Sequence, residues 1–227
     1  MAGTSPRVYG GVAGHDRQAG RRAQLIEAGL ELLGTADGEP GLTVRGVCRQ
    51  AGLTARYFYE NFDGREELAA AVFEHVVSGF ADETLRAVES APPDTRSKLR
   101  AGLGTIVRTI ADDPRRGRLL FSPALSTVGM AQRRVASTRM FARLLVGQAQ
   151  RHYGIHDSAG LDLVAEFLVG GLAQTLTSWL DGSLAVDQDG LVDHCVELFL
   201  AAGDPRLASD ARQETGGQGV PRFAGGT

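Results

Sequence analysis

Two histidines stand four residues apart, His152 and His156, a spacing that would set both imidazoles on one helix face for a metal. Gly154 lies between them and breaks the helix that would align them. His15, His75 and His194 add no ligand spacing, and Cys48 and Cys195 lie far apart. The two cysteines read as reduced core thiols of a cytoplasmic protein. The chain has no Gly-rich phosphate loop, no nucleophile elbow and no paired-carboxylate signature. Asp112-Asp113 and Arg115-Arg116 read as a helix start and a solvated face. These residues offer no catalytic group, metal site or cofactor, so binding is expected and an enzyme is not.

The residues that could bind are concentrated in LTARYFYENFDGREEL, residues 53–68, where Tyr57, Phe58, Tyr59 and Phe62 fall within six positions of a chain only 6% aromatic. At about 100° per residue, Ala55, Phe58 and Phe62 share one helix face, with Tyr59 at its edge. Thr54, Tyr57 and Asn61 share the opposite face, flanked by Arg56 and Glu60. The phenylalanines would anchor the helix. The outward face is aromatic and polar, which suits contact with phosphates and base edges. The same face could equally be an exposed packing surface or bind a protein.

Short helical signals position that face. Thr43 is a good N-cap, and Val44, Val47, Cys48 and Ala51 follow at i, i+3, i+4 and i+7. Gly52 suits a tight turn, and Thr54 opens the next helix. Two short helices joined this way form a helix-turn-helix pattern, whose second helix enters the DNA major groove. Net charge is −3, with 8 Arg against 9 acidic residues in 1–68 and 16 basic against 18 acidic in the remainder. Any nucleic-acid contact must therefore be local.

Helical periodicity predicts further elements over about 17–34, 65–89, 95–111, 123–153, 158–181 and 187–202, with a short one after Asp113-Pro114. The expectation is an all-α chain of about nine helices. An N-terminal three-helix helix-turn-helix domain would span 17–68, and a helical effector-binding and dimerisation domain 69–208. Residues 1–16 read as a flexible arm and 209–227 as a disordered tail. No apolar run is expected to reach a membrane span, and no membrane partner is expected.

TVRGVCRQAGLTARYFYENFDGREEL resembles the N-terminal domain of the tetracycline-repressor (TetR) family of bacterial transcription regulators. The resemblance rests on Thr43-Val44, Ala51-Gly52-Leu53-Thr54, Tyr59 with Phe62 three residues on, and Arg65-Glu66; RAQLIEAGLELL resembles the family's first helix. Roughly residues 20–70 carry it. Cys48 stands where the family usually has alanine, and basic residues near the turn are sparse. The resemblance implies a homodimer that binds a palindromic operator, usually as a repressor, and is released by a small molecule. It implies phosphate contacts from Thr43, Arg45, Tyr59 and Arg65. It places Thr54, Ala55, Arg56, Tyr57 and Asn61 at the groove.

A dimer also follows from GLDLVAEFLVGGLAQTLTSWL. Leu161, Val164, Leu168, Leu172, Leu176 and Trp179 form one stripe, and Leu163 and Phe167 lie on another face. An apolar surplus of that width calls for a second partner, unless the helix is a fully buried core helix of a monomer. Val192, Val196 and Phe199 on the last helix would complete a four-helix interface. Candidate effector contacts are Phe121, Met130, Met140, Phe141, Leu144, Gln148, Phe167, Gln174 and Trp179. Met and aromatic residues at helical spacing are also ordinary core. The walls imply a neutral or weakly polar hydrophobic effector. The rival reading is an all-helical interaction module or enzyme that does not bind DNA.

Overall fold

The computed structural model describes residues 12–35, 41–121, 128–153 and 158–203. Among these, nine helices and no strands are found. The first four are α1 (Val12–Leu33), α2 (Val44–Ala51), α3 (Ala55–Tyr59) and α4 (Arg65–Ser90). The other five are α5 (Thr95–Asp112), α6 (Pro114–Phe121), α7 (Val128–Tyr153), α8 (Ser158–Leu180) and α9 (Gln188–Ala202).

Local chemistry sets most of the ends. Thr43 is extended, and its hydroxyl accepts the Gly46 N–H at 3.0 Å. Gly52 closes α2 at φ 65°, and Leu53 N–H reaches back to Cys48 O at 2.9 Å, a Schellman-type ending. Asp94 caps α5 through Ser97 N–H, and Asp187 caps α9 through Gly190 N–H. Pro114 takes the first position of α6, where its missing N–H costs nothing.

The N-terminal core joins α1 to α4 through Leu25, Leu30, Leu33, Val47, Phe58, Phe62, Leu68 and Val72, all buried. The same core continues between α4, α5, α6, α7, α8 and α9, with Phe80, Leu103, Ile110, Leu119, Met130, Leu176 and Val196 inside. Helix α4 runs through both parts, unbroken across residue 68; at 1.5 Å per residue it is about 39 Å long.

Several expectations change. Helix α1 begins at Val12, so residues 12–16 of the expected arm are helical; the tail over 209–227 and Pro123 lie outside the described residues. The dimer stripe turns inward at one end. Leu176, Val192 and Val196 are buried in the subunit's own core, and Leu172 and Phe199 pack against it. Leu161, Val164 and Leu168 are half-buried. The exposed apolar side chains are instead Leu163 (71% exposed), Phe167 (77%) and Leu198 (65%). The stripe seen on a wheel was the helix's core side, because α7 and α6 lie against it. The same surplus makes Gly160–Leu180 long and apolar enough to cross a membrane by length and composition, contrary to expectation. One apolar helix of a folded core passes that test as readily.

Candidate nucleic-acid interface

The face opposite the N-terminal core carries the first residues of α2, α3 and α4. Thr43, Arg45, Thr54, Ala55, Arg56, Tyr59 and Arg65 are all exposed on it. Phe58 is fully buried and Phe62 nearly so, which fixes the rotation of α3. Thr54 has the extended backbone of an N-cap but makes no side-chain capping bond. Arg45 has no carboxylate partner among the described residues. Arg56 pairs with Glu60 at 3.0 Å and Arg65 with Glu66 at 2.9 Å. The Arg65 hydrogen bond holds the Glu66 carboxyl below its ordinary range. Both pairs are open to solvent, where they are weak and exchangeable for phosphate.

Three placements differ from the wheel. Ala55, grouped with the phenylalanines, is exposed, because only Phe58 and Phe62 reach the core. Tyr59, set at the core edge, is 60% exposed, its ring packed edge-on against Phe58 at 5.4 Å. Tyr57 and Asn61, expected to look outward, are half-buried. Arg21 of α1 lies over the Tyr57 ring at 4.4 Å, and Asn61 Nδ2 donates to Tyr57 O at 2.8 Å. Arg22 lies over the Phe62 ring and donates to Asn61 O. Arg21 and Arg22 therefore staple α3 to α1, a role the sequence does not announce because their partners lie some 40 residues away.

The second feature is a cavity of about 360 Å³ among α4, α5, α6, α7, α8 and α9. Phe121, Phe141, Leu144, Gln148 and Gln174 line it. Met130, Met140, Phe167 and Trp179 do not. Met130 is buried in the core, Met140 packs on it, and Phe167 points to solvent. Trp179 Nε1 donates to Val186 O at 2.9 Å, closing the turn toward α9. The walls are mainly apolar, as expected, but two cations line them, Lys98 and Arg134, and no carboxylate does among the described residues.

Helix α6 links the cavity to α1. Its last residues, Leu120 and Phe121, line the cavity, and its first turn meets α1. Arg115 is held by Asp113 in a two-pronged bond (2.8 Å on each oxygen) and by Glu27 at 2.9 Å and Glu31 at 2.5 Å. Arg118 donates to Gly34 O at 3.0 Å. Gly34 has no side chain because a Cβ there would lie 2.9 Å from Arg115 Cα.

The Arg115 bond holds the Asp113 carboxyl below its ordinary value. A depressed carboxyl stabilises the fold above its unfolded pKa of about 3.9, and that share is lost as pH falls through the folded value. Asp113→Asn is therefore expected to cost about 1–2 kcal/mol at pH 7. The gap from wild type should close below about pH 4 in thermal melts. A gap that does not depend on pH would mean the carboxylate charge does not act here.

No family model matches the chain. Over 81 residues it is 36% identical to the HTH-type transcriptional regulator BetI of Burkholderia cenocepacia; that match covers 36% of this chain and spans 41% of the relative's length. A tetR-family transcriptional regulator from Streptomyces coelicolor superposes with a TM-score of 0.66 at 19% identity, covering 86% of this chain and 88% of that one. FadR from Bacillus subtilis, solved in complex with stearoyl-CoA, superposes with a TM-score of 0.65 at 17% identity, covering 80% and 99%. The chain has the all-helical fold of the TetR-family transcriptional regulators, and a stretch of 81 residues is similar in sequence to part of a BetI regulator.

Proposed function

We propose that the protein is a ligand-responsive, DNA-binding transcriptional regulator of the bacterial cytoplasm. It holds a palindromic operator as a homodimer, acts as a repressor and is released by a small, mainly hydrophobic effector. The observation that carries the reading is the exposed face built from the starts of α2, α3 and α4 on a core fixed by Phe58 and Phe62. Thr43, Arg45, Tyr59 and Arg65 take phosphates. Thr54, Ala55 and Arg56 lie nearest the groove, while Tyr57 and Asn61 meet it at the rim of the stapled helix. Exposed Leu163, Phe167 and Leu198 meet their counterparts in a second copy. The cavity takes the effector, and α6 passes its occupancy to α1 through Arg115 and Arg118. Similar fold in a regulator solved with stearoyl-CoA supports an effector with an apolar body.

The test is a titration against a labelled duplex covering the DNA upstream of the protein's own gene, with unrelated DNA as control, at several salt concentrations. Binding about 10³-fold tighter than to random DNA is expected. Arg45→Ala should weaken binding to all DNAs and lower the slope of log affinity against log salt by about 1. Tyr59→Ala should weaken operator binding about tenfold without loss of stability. Equal affinity of wild type for every duplex, repeated after selection from random sequence, would remove the regulator reading.

A further inference from the structure

Lys98 is the only lysine among the chain's 24 basic residues, and it lines the cavity. It is half-buried at the start of α5. One of its three donors is used, on Val88 O at 3.1 Å near the end of α4. Among the described residues it has no carboxylate partner and no acidic side chain lines the cavity. An ammonium in an apolar wall without a counter-charge favours an anion brought to it. Thr84, one turn before Val88, also lines the cavity, and its Oγ1 is buried without a hydrogen-bond partner. Along α7 the cavity lining spans Arg134 to Gln148, fourteen residues or about 21 Å of helix. Phe141, Leu144 and Leu172 line it between those ends. At the far end Arg134 donates to Leu119 O at 3.3 Å, so its guanidinium is engaged with α6.

We propose that the cavity takes an amphiphilic monoanion, its head group on Lys98 and its apolar body laid along α7 and α8 toward α6; this deepens the effector reading and rests on it. The head group then sits at the end remote from α6, and the tail is the part that meets Phe121. That amends the neutral effector expected from the sequence.

The test uses the full chain and three ten-carbon probes: decanoate, decan-1-ol and decyltrimethylammonium, titrated by calorimetry below their aggregation limits. Decanoate is expected to bind about tenfold or more tightly than decanol, and the cationic probe more weakly than either. Lys98→Met should bring decanoate down to the affinity of decanol and leave decanol binding unchanged. Lys98→Arg should keep most of the preference, which shows that charge and not fold is read. Equal binding of decanoate and decanol by wild type, a preference that survives Lys98→Met, or no binding of any probe would overturn the proposal. The upstream-DNA titration runs in parallel. Loss of specific DNA binding beside an intact, Lys98-dependent preference would sink the regulator reading and leave the ligand class standing.

Discussion

Phe58→Ala is expected to cost about 3–5 kcal/mol, the range for removing a fully buried ring that leaves a cavity behind. Phe58 is 0% exposed and touches Phe62 at a ring separation of 5.8 Å. Helix α3 has five residues, too few to hold its shape alone. Its place is set by those two rings, the Arg21 and Arg22 staples and the short turn at Gly52. Total stability of a domain is only about 5–15 kcal/mol, so this one change removes a large share of it. Urea unfolding followed by circular dichroism measures the cost, and the duplex titration should show operator binding lost with it. Tyr59→Ala, one residue away on an exposed ring, is the matched control and should leave the midpoint nearly unchanged. A cost below about 1 kcal/mol for Phe58→Ala would show that the phenylalanine does not anchor the recognition helix.

Leu163→Glu combined with Phe167→Glu is expected to convert the proposed dimer to monomer. Both side chains are more than two-thirds exposed, so the subunit's core does not depend on them. In a two-fold interface the same patch of each copy meets the other, so the double change brings four carboxylates into one apolar contact, and burying them there is strongly unfavourable. Operator affinity should fall by about 10²–10⁴, the gain that joining two half-site contacts confers. Light scattering at micromolar concentration reads the mass, and thermal melting confirms that the monomer is folded. A dimer that persists in the double variant would move the interface off this face. A wild type that is monomeric but partitions onto lipid vesicles would assign the apolar helix to a membrane surface instead.

The elements and their ends were legible because their signals are local. Caps at Thr43, Asp94 and Asp187, the turn glycine Gly52 and the breaker Pro114 act within a few residues of themselves. Helical periodicity then located the core row of α2, where Val47 and Cys48 are buried. The rotation of α3 was legible only in part. A wheel separates Phe58 and Phe62 from the rest, but whether Tyr57 or Tyr59 is the open ring depends on what covers the remaining sides. Arg21 covers the Tyr57 ring, whereas the Tyr59 ring touches Phe58 by its edge and stays 60% exposed. The split of the expected dimer stripe was illegible for the same reason: Leu176, Val192 and Val196 lie in the subunit's own core, and Leu161, Val164 and Leu168 are half-buried. Helix α8 is apolar nearly all round, so the wheel shows two candidate rows without saying which one α6 and α7 bury.

The sequence by itself determined the all-helical class, the helix-turn-helix and the residues that begin its helices, because caps, turns and periodicity are properties of short segments. The tertiary structure alone decided which apolar row of α8 stays outside, which arginines serve α3, and which residues share a cavity with the single lysine. Those are relations between side chains far apart along the chain, 36 positions for Arg21 and Tyr57, and only the packing of helix on helix brings them together.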